Sequence, residues 1–505
     1  MVAFGIRRLQ GPHTFGGILL FGLLAMTARN AVDPDLWWHL RTGQWIAETG
    51  HVPLSDPFSF TRAGHTWVSH EWLSEVTFYE LWKHGGAAAL IVFCALVTTT
   101  GFMLLYFRCP GKKHWAAAMT AIGALASAPT WGVRPQMFTF TLASVFLWLM
   151  EAGEKKPKLL FWVPPLFLLW LNLHAGFALG PALLVAYALG LFTENALGNS
   201  SWLQVRPLLL RVLLLLGACL ALIPLNPSGA QLYGYPFDTL RSAGMRSFIS
   251  EWFSPDFHQL FYRPLLVVWI LLLIALATRS RPKGRIMVPL LFTAFASLDA
   301  ARHIPIFVLV AIPVIAALPF TSASFRGENQ RLAFPSRPLF NAAIIILIAV
   351  FALVKLVVVI RSQGAREAEI YPQAAVASLR SAGHVERLFA YYDWGGYAIW
   401  KLYPDYQVFV DGRADLYGDA LLSQFKTAIQ LHTGWREVLD RWRVEAVLVP
   451  PGCALAQALL IDPQWQTAFS DSKALILRRS EEGSKRSPVS PNSALGEDPV
   501  ISAKK

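Results

Sequence analysis

Eleven apolar runs with almost no charge inside them dominate the first 360 residues. They fall at roughly 13–30, 87–107, 115–130, 136–151, 159–173, 175–193, 207–224, 264–278, 286–299, 303–320 and 340–360. A helix needs about 20 mostly apolar residues to cross hydrocarbon, where no water is present to bond its backbone. Several runs fall short of that length. The division at Asn172–Gly176 also leaves 159–193 open to being one broken helix. Composition agrees with lipid as the solvent: of 505 residues, 54% are hydrophobic and 15% charged. Soluble domains carry about a quarter charged residues. A net charge of +12 raises nucleic acid as a partner. The basic residues sit in short loops between the apolar runs, so topology accounts for them and no nucleic-acid partner is expected. Cys94, Cys109, Cys219 and Cys453 have no disulfide or zinc spacing. The first run lacks a small-residue cleavage site and reads as an anchor rather than a removed signal.

Basic loops mark the cytoplasmic side. With Arg7 and Arg8 inside, the inner loops hold Arg108, Lys112 and Lys113, then Lys155, Lys156 and Lys158, then Arg206 and Arg211. The last two hold Arg279, Arg281, Lys283 and Arg285, then Arg326, Arg331 and Arg337. The expected protein is therefore a polytopic α-helical protein of the cell (inner) membrane, with about eleven transmembrane helices over 1–360 and a cytoplasmic N-terminus. Two large outer loops, 31–86 and 225–263, and everything from about 361 fall on the other side. Residues 361–480 read as a soluble α/β domain. Strands are predicted at Arg387–Tyr392, Gln407–Asp411, Glu445–Val449 and Ala474–Leu477. Helices are predicted near Ala374–Ala382, Asp419–Gln430 and Trp435–Trp442. The Ser-, Pro- and charge-rich tail 481–505 is expected to be disordered.

The first outer loop opens Asp33-Pro34-Asp35-Leu36-Trp37-Trp38-His39-Leu40-Arg41. Asp33 as N-cap and Pro34 as first residue predict an interfacial helix anchored by Trp37, Trp38 and Trp45. That places Asp35 in the first turn, at the membrane mouth, where a carboxylate suits a substrate whose lipid tail stays in the bilayer. Asp56, His65, His70, Glu71 and Glu75 follow in the same loop. Asp35, Asp56, His70 and Glu71 are the candidate ligands for Mg²⁺ or Mn²⁺, the alternative being a solvated loop without metal.

This loop resembles the first outer loop of the oligosaccharyltransferase catalytic subunit, a GT-C membrane glycosyltransferase. The family pattern is Asp-Pro-x-Phe-Asn-Tyr-Arg, with a Gly nine residues beyond the Arg. Here Asp35 precedes Arg41 by six, Gly50 follows it by nine, and His39 stands where the family has Asn. Pro34 precedes the matching Asp, a departure. Tyr391-Tyr392-Asp393-Trp394-Gly395-Gly396-Tyr397 is similar to the family's Trp-Trp-Asp-Tyr-Gly. Ile249-Ser250-Glu251 is similar to an Ile-x-Glu motif on its mobile loop. The resemblance implies Asp35 as the catalytic, metal-binding carboxylate, with Asp33 able to replace it. It implies Asp393 and Trp394 at the acceptor and Glu251 in gating or acceptor binding. Strand-end packing with a Gly395–Gly396 turn is the plainer reading of the second motif.

A GT-C enzyme moves a sugar from a polyprenyl-phosphate donor to a glycan, lipid or protein acceptor, with inversion. Such chemistry needs a carboxylate to take the acceptor proton and positive charge to meet the departing phosphate. Asp35 is assigned the first role, with Asp33 and Asp56 as alternatives. Arg302 is assigned the second, with Arg134 in reserve and His303 beside it. The plainer readings are an Arg302–Asp299 pair and a snorkelling Arg134. Asn172 and His174 are read as packing groups. Two rival functions remain: a transporter or flippase of lipid-linked sugars, which predicts ionisable residues deep in spans, and a non-catalytic scaffold. Lys355 is nearly alone in that respect.

Overall fold

The computed structural model describes residues 12–278, 282–318, 338–382 and 386–480. The chain forms two compact units, one of residues 1–55 and 66–370, the other of 56–65 and 371–505. The predicted tail 481–505, and Arg279, Arg281, Arg326, Arg331 and Arg337, lie outside the described residues.

In the first unit every predicted apolar run falls on a helix. Among the described residues, five helical segments are long and apolar enough to cross a membrane: Trp72–Arg108, Ala175–Ala196, Trp202–Leu225, Leu260–Thr278 and Pro338–Ile370. Shorter apolar helices run over His13–Thr27, Pro157–Leu173 and Ala301–Ala316. The helix Ile304–Ala316 is the core of the unit. It is apolar on every face and buried nearly throughout, as a helix without an amphipathic stripe must be. It packs against Lys113–Ser127, Gly284–Asp299, Arg263–Thr278 and Gln136–Lys155. The Pro338–Ile370 helix is the opposite case: it packs on Pro12–Thr27 but buries almost none of its apolar run in protein.

The division at Asn172–Gly176 is a break. Helix Val163–Leu173 ends, His174 is extended (φ −166°, ψ 145°), and a 3₁₀ turn restarts the chain at Ala175. The His174 imidazole caps that turn by accepting from the Gly176 amide at 3.0 Å. The interfacial helix also differs from expectation. It begins at Leu36, not Pro34, with Asp35 in the N-cap position. Asp33 makes the preceding turn by accepting from the Asp35 amide at 3.0 Å. Gly50 ends the helix in the left-handed region (φ 73°), its amide bonding Ile46 O at 2.8 Å. A left-handed C-terminal residue favours glycine.

The second unit is a five-stranded sheet in the order β2-β1-β3-β5-β4: β1 Glu386–Ala390, β2 Tyr406–Val408, β3 Ala446–Val449, β4 Trp465–Ser470 and β5 Leu475–Arg479. β1 runs parallel to β2 and β3, while β5 is antiparallel to β3 and β4. Residues 58–60 run along the free side of β2, with Val408 N bonding Phe58 O and Phe60 N bonding Val408 O, both at 3.2 Å. The expected Gly395–Gly396 turn is replaced by helix Tyr392–Leu402. A Cβ on Gly395 would lie 2.3 Å from Val410 O, so glycine lets this helix press onto the chain leaving β2.

Candidate active site

Three carboxylates converge on one guanidinium in the first unit. Asp33 and Asp35 come from the turn before the interfacial helix, Arg134 from the tight turn before Gln136–Lys155, and Glu251 from the 3₁₀ turn Ser250–Trp252. Arg134 Nη2 lies 2.7 Å from Glu251 Oε1 and 3.5 Å from Asp35 Oδ2, and its Nε lies 3.5 Å from Asp33 Oδ2. Arg134 is therefore the hub of an ion cluster, not a snorkelling side chain. Asp35 keeps one further partner, Trp38 Nε1, which donates to Oδ1 at 3.3 Å.

The cluster is short of positive charge, and that shows in its acids. Burial, then the neighbouring Asp33 charge, pushes the Asp35 carboxyl up to about 8. Burial likewise raises Asp33, against the pull of Arg134. Burial also opposes the Glu251 charge, but Arg134 and Arg302 outweigh it and hold that carboxyl below its ordinary value. Burial thus biases both acids of the turn toward holding a proton.

Arg302 stands at the edge of this cluster without a salt bridge. Its guanidinium lies 4.4 Å over the Trp252 ring, one residue from Glu251. The expected Arg302–Asp299 pair does not form, because Asp299 takes Arg246 instead, with both oxygens 2.8 Å from Nη2. Among the described residues Arg302 has no hydrogen bond or ion pair. His303 faces the other way, with Nδ1 3.3 Å from Ala296 O.

A second buried cluster centres on Glu71, which the sequence had placed with His70 among the candidate metal ligands. His70 Nε2 lies 3.0 Å from Oε1, His174 Nε2 3.6 Å from Oε1, and His39 Nε2 3.6 Å from Oε2. His39 Nδ1 lies 3.6 Å from Glu75. Burial lowers His39 to about 3 and His174 to about 4, so both imidazoles are neutral at pH 7. Asn172 belongs to the same knot, accepting from Trp72 Nε1 at 2.7 Å and from Asn226 at 3.1 Å. His39 could have been found by position: it lies four residues after Asp35, on one face of a predicted helix.

Asp56 folds in the second unit and is not an open carboxylate: Arg413 Nη1 meets Oδ1 at 2.8 Å, and Ser59 Oγ and two backbone amides take the rest. Asp393 and Trp394 lie in that unit too, on the first turn of Tyr392–Leu402, Asp393 exposed and Trp394 buried. Of the proposed metal set Asp35, Asp56, His70 and Glu71, Asp56 has both oxygens taken within the second unit. Among the described residues no group of three or more His, Cys, Asp or Glu side chains is placed to hold a metal ion. Arg134 itself lies between the acids. As arranged, this donor set does not fit a divalent cation.

No protein-family model matches the chain, and no curated protein matches its sequence. Solved structures do match. The archaeal oligosaccharyltransferase AglB of Archaeoglobus fulgidus, in complex with an inhibitory peptide and a dolichol-phosphate, superposes with a TM-score of 0.53 at 12% identity, over 86% of this chain and 69% of that one. The chain has the fold of an archaeal oligosaccharyltransferase. The same enzyme tethered to an acceptor peptide containing the NVT sequon gives 0.51 at 13% identity, over 93% of this chain and 74% of that one. Its apo form gives 0.52 at 13%. At this identity the AglB likeness establishes the fold, and with the apolar helices it makes the chain a membrane protein.

Proposed function

We propose that the chain is an inverting membrane glycosyltransferase acting on a polyprenyl-phosphate sugar, with eleven crossings and the ion cluster on the non-cytoplasmic face. The observation that carries this reading is the pairing of a proton-accepting carboxylate, Asp35, with a cation left open, Arg302. Asp35 takes the proton of the acceptor. The freed oxygen or nitrogen attacks the anomeric carbon from the face opposite the phosphate. The bond from that carbon to the phosphate oxygen breaks, and the electron pair leaves with the phosphate. Arg302 meets the growing negative charge, and Trp252 fixes its plane. Arg134 holds Asp33, Asp35 and Glu251 in register, and no step runs through a metal. The AglB complex with a dolichol-phosphate supports a lipid-phosphate donor.

The test is sugar transfer by the purified chain in nanodiscs, using polyprenyl-phosphate sugars. Asp35→Asn is expected to lower the rate by about 10²–10⁴-fold, the usual worth of a positioned base. Undiminished transfer by both Asp35→Asn and Asp33→Asn would sink the assignment. Translocation of the lipid-linked sugar without transfer would favour the flippase reading.

A further inference from the structure

The resemblance implies a metal ion at Asp35, yet the acids around Asp35 already face a cation of the chain itself. Arg134 Nη2 lies 2.7 Å from Glu251 Oε1 and 3.5 Å from Asp35 Oδ2, and Nε lies 3.5 Å from Asp33 Oδ2. One guanidinium thus meets an oxygen from each of three carboxylates, carried on two turns far apart in sequence. An ion such as Mg²⁺ binds by drawing oxygens to one point, about 2.0–2.1 Å from each. Here Nη2 is the atom that Glu251 Oε1 and Asp35 Oδ2 share. An ion could take both oxygens only by displacing the guanidinium, and the two positive charges would repel.

Arg134 is also held in place. Its turn is anchored by buried Trp131 and Val133, and Pro135 stiffens the backbone directly after it. A Cβ on Gly132 would lie 3.4 Å from Arg134 Cδ and 3.5 Å from Asp33 Oδ2. The side-chain stem and Asp33 therefore lie together against that turn. A guanidinium is always charged and presents its donors in a rigid plane, so it orients carboxylates as well as neutralising them.

We infer that Arg134 stands in the place of a divalent cation: it supplies the positive charge that orders Asp33, Asp35 and Glu251 for transfer, and the reaction needs no metal ion. This rests on the transfer reaction above and makes Arg134 a positioning residue in it. With Arg134 present, transfer is indifferent to chelation. Without its guanidinium, the same carboxylates surround a gap and offer the oxygen ligands that Mg²⁺ and Mn²⁺ take.

The experiment uses the full chain in nanodiscs with Mn²⁺ as the probe. Binding is read by electron paramagnetic resonance and by melting, and sugar transfer is followed separately. EDTA is expected to change transfer by the unaltered chain less than about twofold. Arg134→Ala in EDTA is expected to lose about 10²-fold or more in transfer, the usual effect of misplaced reacting groups. Mn²⁺ at about 1 mM should then bind this variant, raise its melting temperature by about 3 °C or more and return part of the transfer. The unaltered chain should show none of these gains. Arg134→Lys keeps the charge without the planar fork, and should transfer at a reduced rate that EDTA does not alter.

Loss of transfer by the unaltered chain in EDTA, restored by Mn²⁺, would overturn the proposal. So would a Mn²⁺ signal from the unaltered chain that Asp35→Asn removes. A folded Arg134→Ala that takes up no Mn²⁺, or takes it up with no return of transfer, would reduce Arg134 to a structural ion partner and overturn it as well. Should Arg134→Ala fail to fold, the EDTA and Mn²⁺ results on the unaltered chain still decide. If no form of the chain transferred sugar, the reading of the reaction would fall, while Mn²⁺ binding and melting would still show whether the guanidinium holds the ion's place.

Discussion

At the scale of single residues, the Asp35 carboxyl decides the pH behaviour. Its ordinary value is 3.8, and in the fold it is raised to about 8 by burial and by Asp33. The base form therefore appears only as pH rises, so kcat/KM should climb about tenfold per unit below pH 8 and level off above it. The stability effect has the opposite sense. The unfolded chain loses this proton near 3.8 while the fold keeps it to about 8. The contribution is full below pH 4 and is lost as pH rises through 8. Trp38→Phe removes the Nε1 donor that favours the charged form. The inflection should then move to higher pH, whereas an unmoved inflection would assign it to another group. Arg134→Leu should be harsher. Three buried or half-buried acids lose their common partner, and breaking such a set costs about 3–5 kcal/mol. A melting temperature unchanged within error would mean that water, not Arg134, neutralises them.

At the scale of elements, backbone contact sets the site. A Cβ on Gly43 would lie 2.0 Å from Glu75 O and 2.5 Å from Glu75 C, so the interfacial helix lies directly on the start of Trp72–Arg108. That contact delivers His39 to Glu71 and Glu75. Gly43→Ala must separate the two backbones, and overpacking of this kind costs about 1–3 kcal/mol. The expected outcome is a lower melting temperature together with a lower transfer rate. The same substitution at Gly22, where a Cβ meets nothing within 4 Å, should do neither. Helices were legible in the sequence because apolar length in lipid leaves the backbone no other choice. Their packing was not, because Gly43 looks like any other glycine in a helix pattern. β4 was missed for a related reason. After buried Trp465 its residues are mostly exposed, so Trp465–Ser470 lacks the alternation that marks a strand. The helix Tyr392–Leu402 was obscured by its own Gly395–Gly396 pair, which reads as a turn until Val410 O is seen against Gly395.

At the scale of the whole molecule, the first long loop divides its residues between two jobs. Asp33, Asp35, His39, His70 and Glu71 stay with the helical unit, while residues 56–65 fold with the C-terminal segment. Residues 56–65 and the C-terminal segment thus build one domain together. The sequence placed them on one side by counting basic loops, but nothing in it marked Asp56 as a structural ion. The partner, Arg413, is 357 residues away. It is buried between two acids, with Nε and Nη2 on the Asp411 oxygens at 2.8 and 2.6 Å and Nη1 on Asp56 at 2.8 Å. Burial opposes its charge, yet Asp411 and Asp56 raise its pKa well above the ordinary value. Tyr417 OH also donates to Asp411, so the excess negative charge is spread over a hydrogen-bonded set. Arg413→Met would leave Asp56 and Asp411 buried without a cation, at a cost of about 3–5 kcal/mol. Asp56→Asn should cost less, since Arg413 keeps Asp411. Hydrogen exchange on the full chain is the suitable measurement. Both variants should loosen β2 and residues 58–62, Arg413→Met more than Asp56→Asn, while the amides of Ile304–Ala316 stay protected. If Asp56→Asn instead abolished sugar transfer with exchange unchanged everywhere, Asp56 would be a catalytic carboxylate after all, and its role as the buried partner of Arg413 would fall.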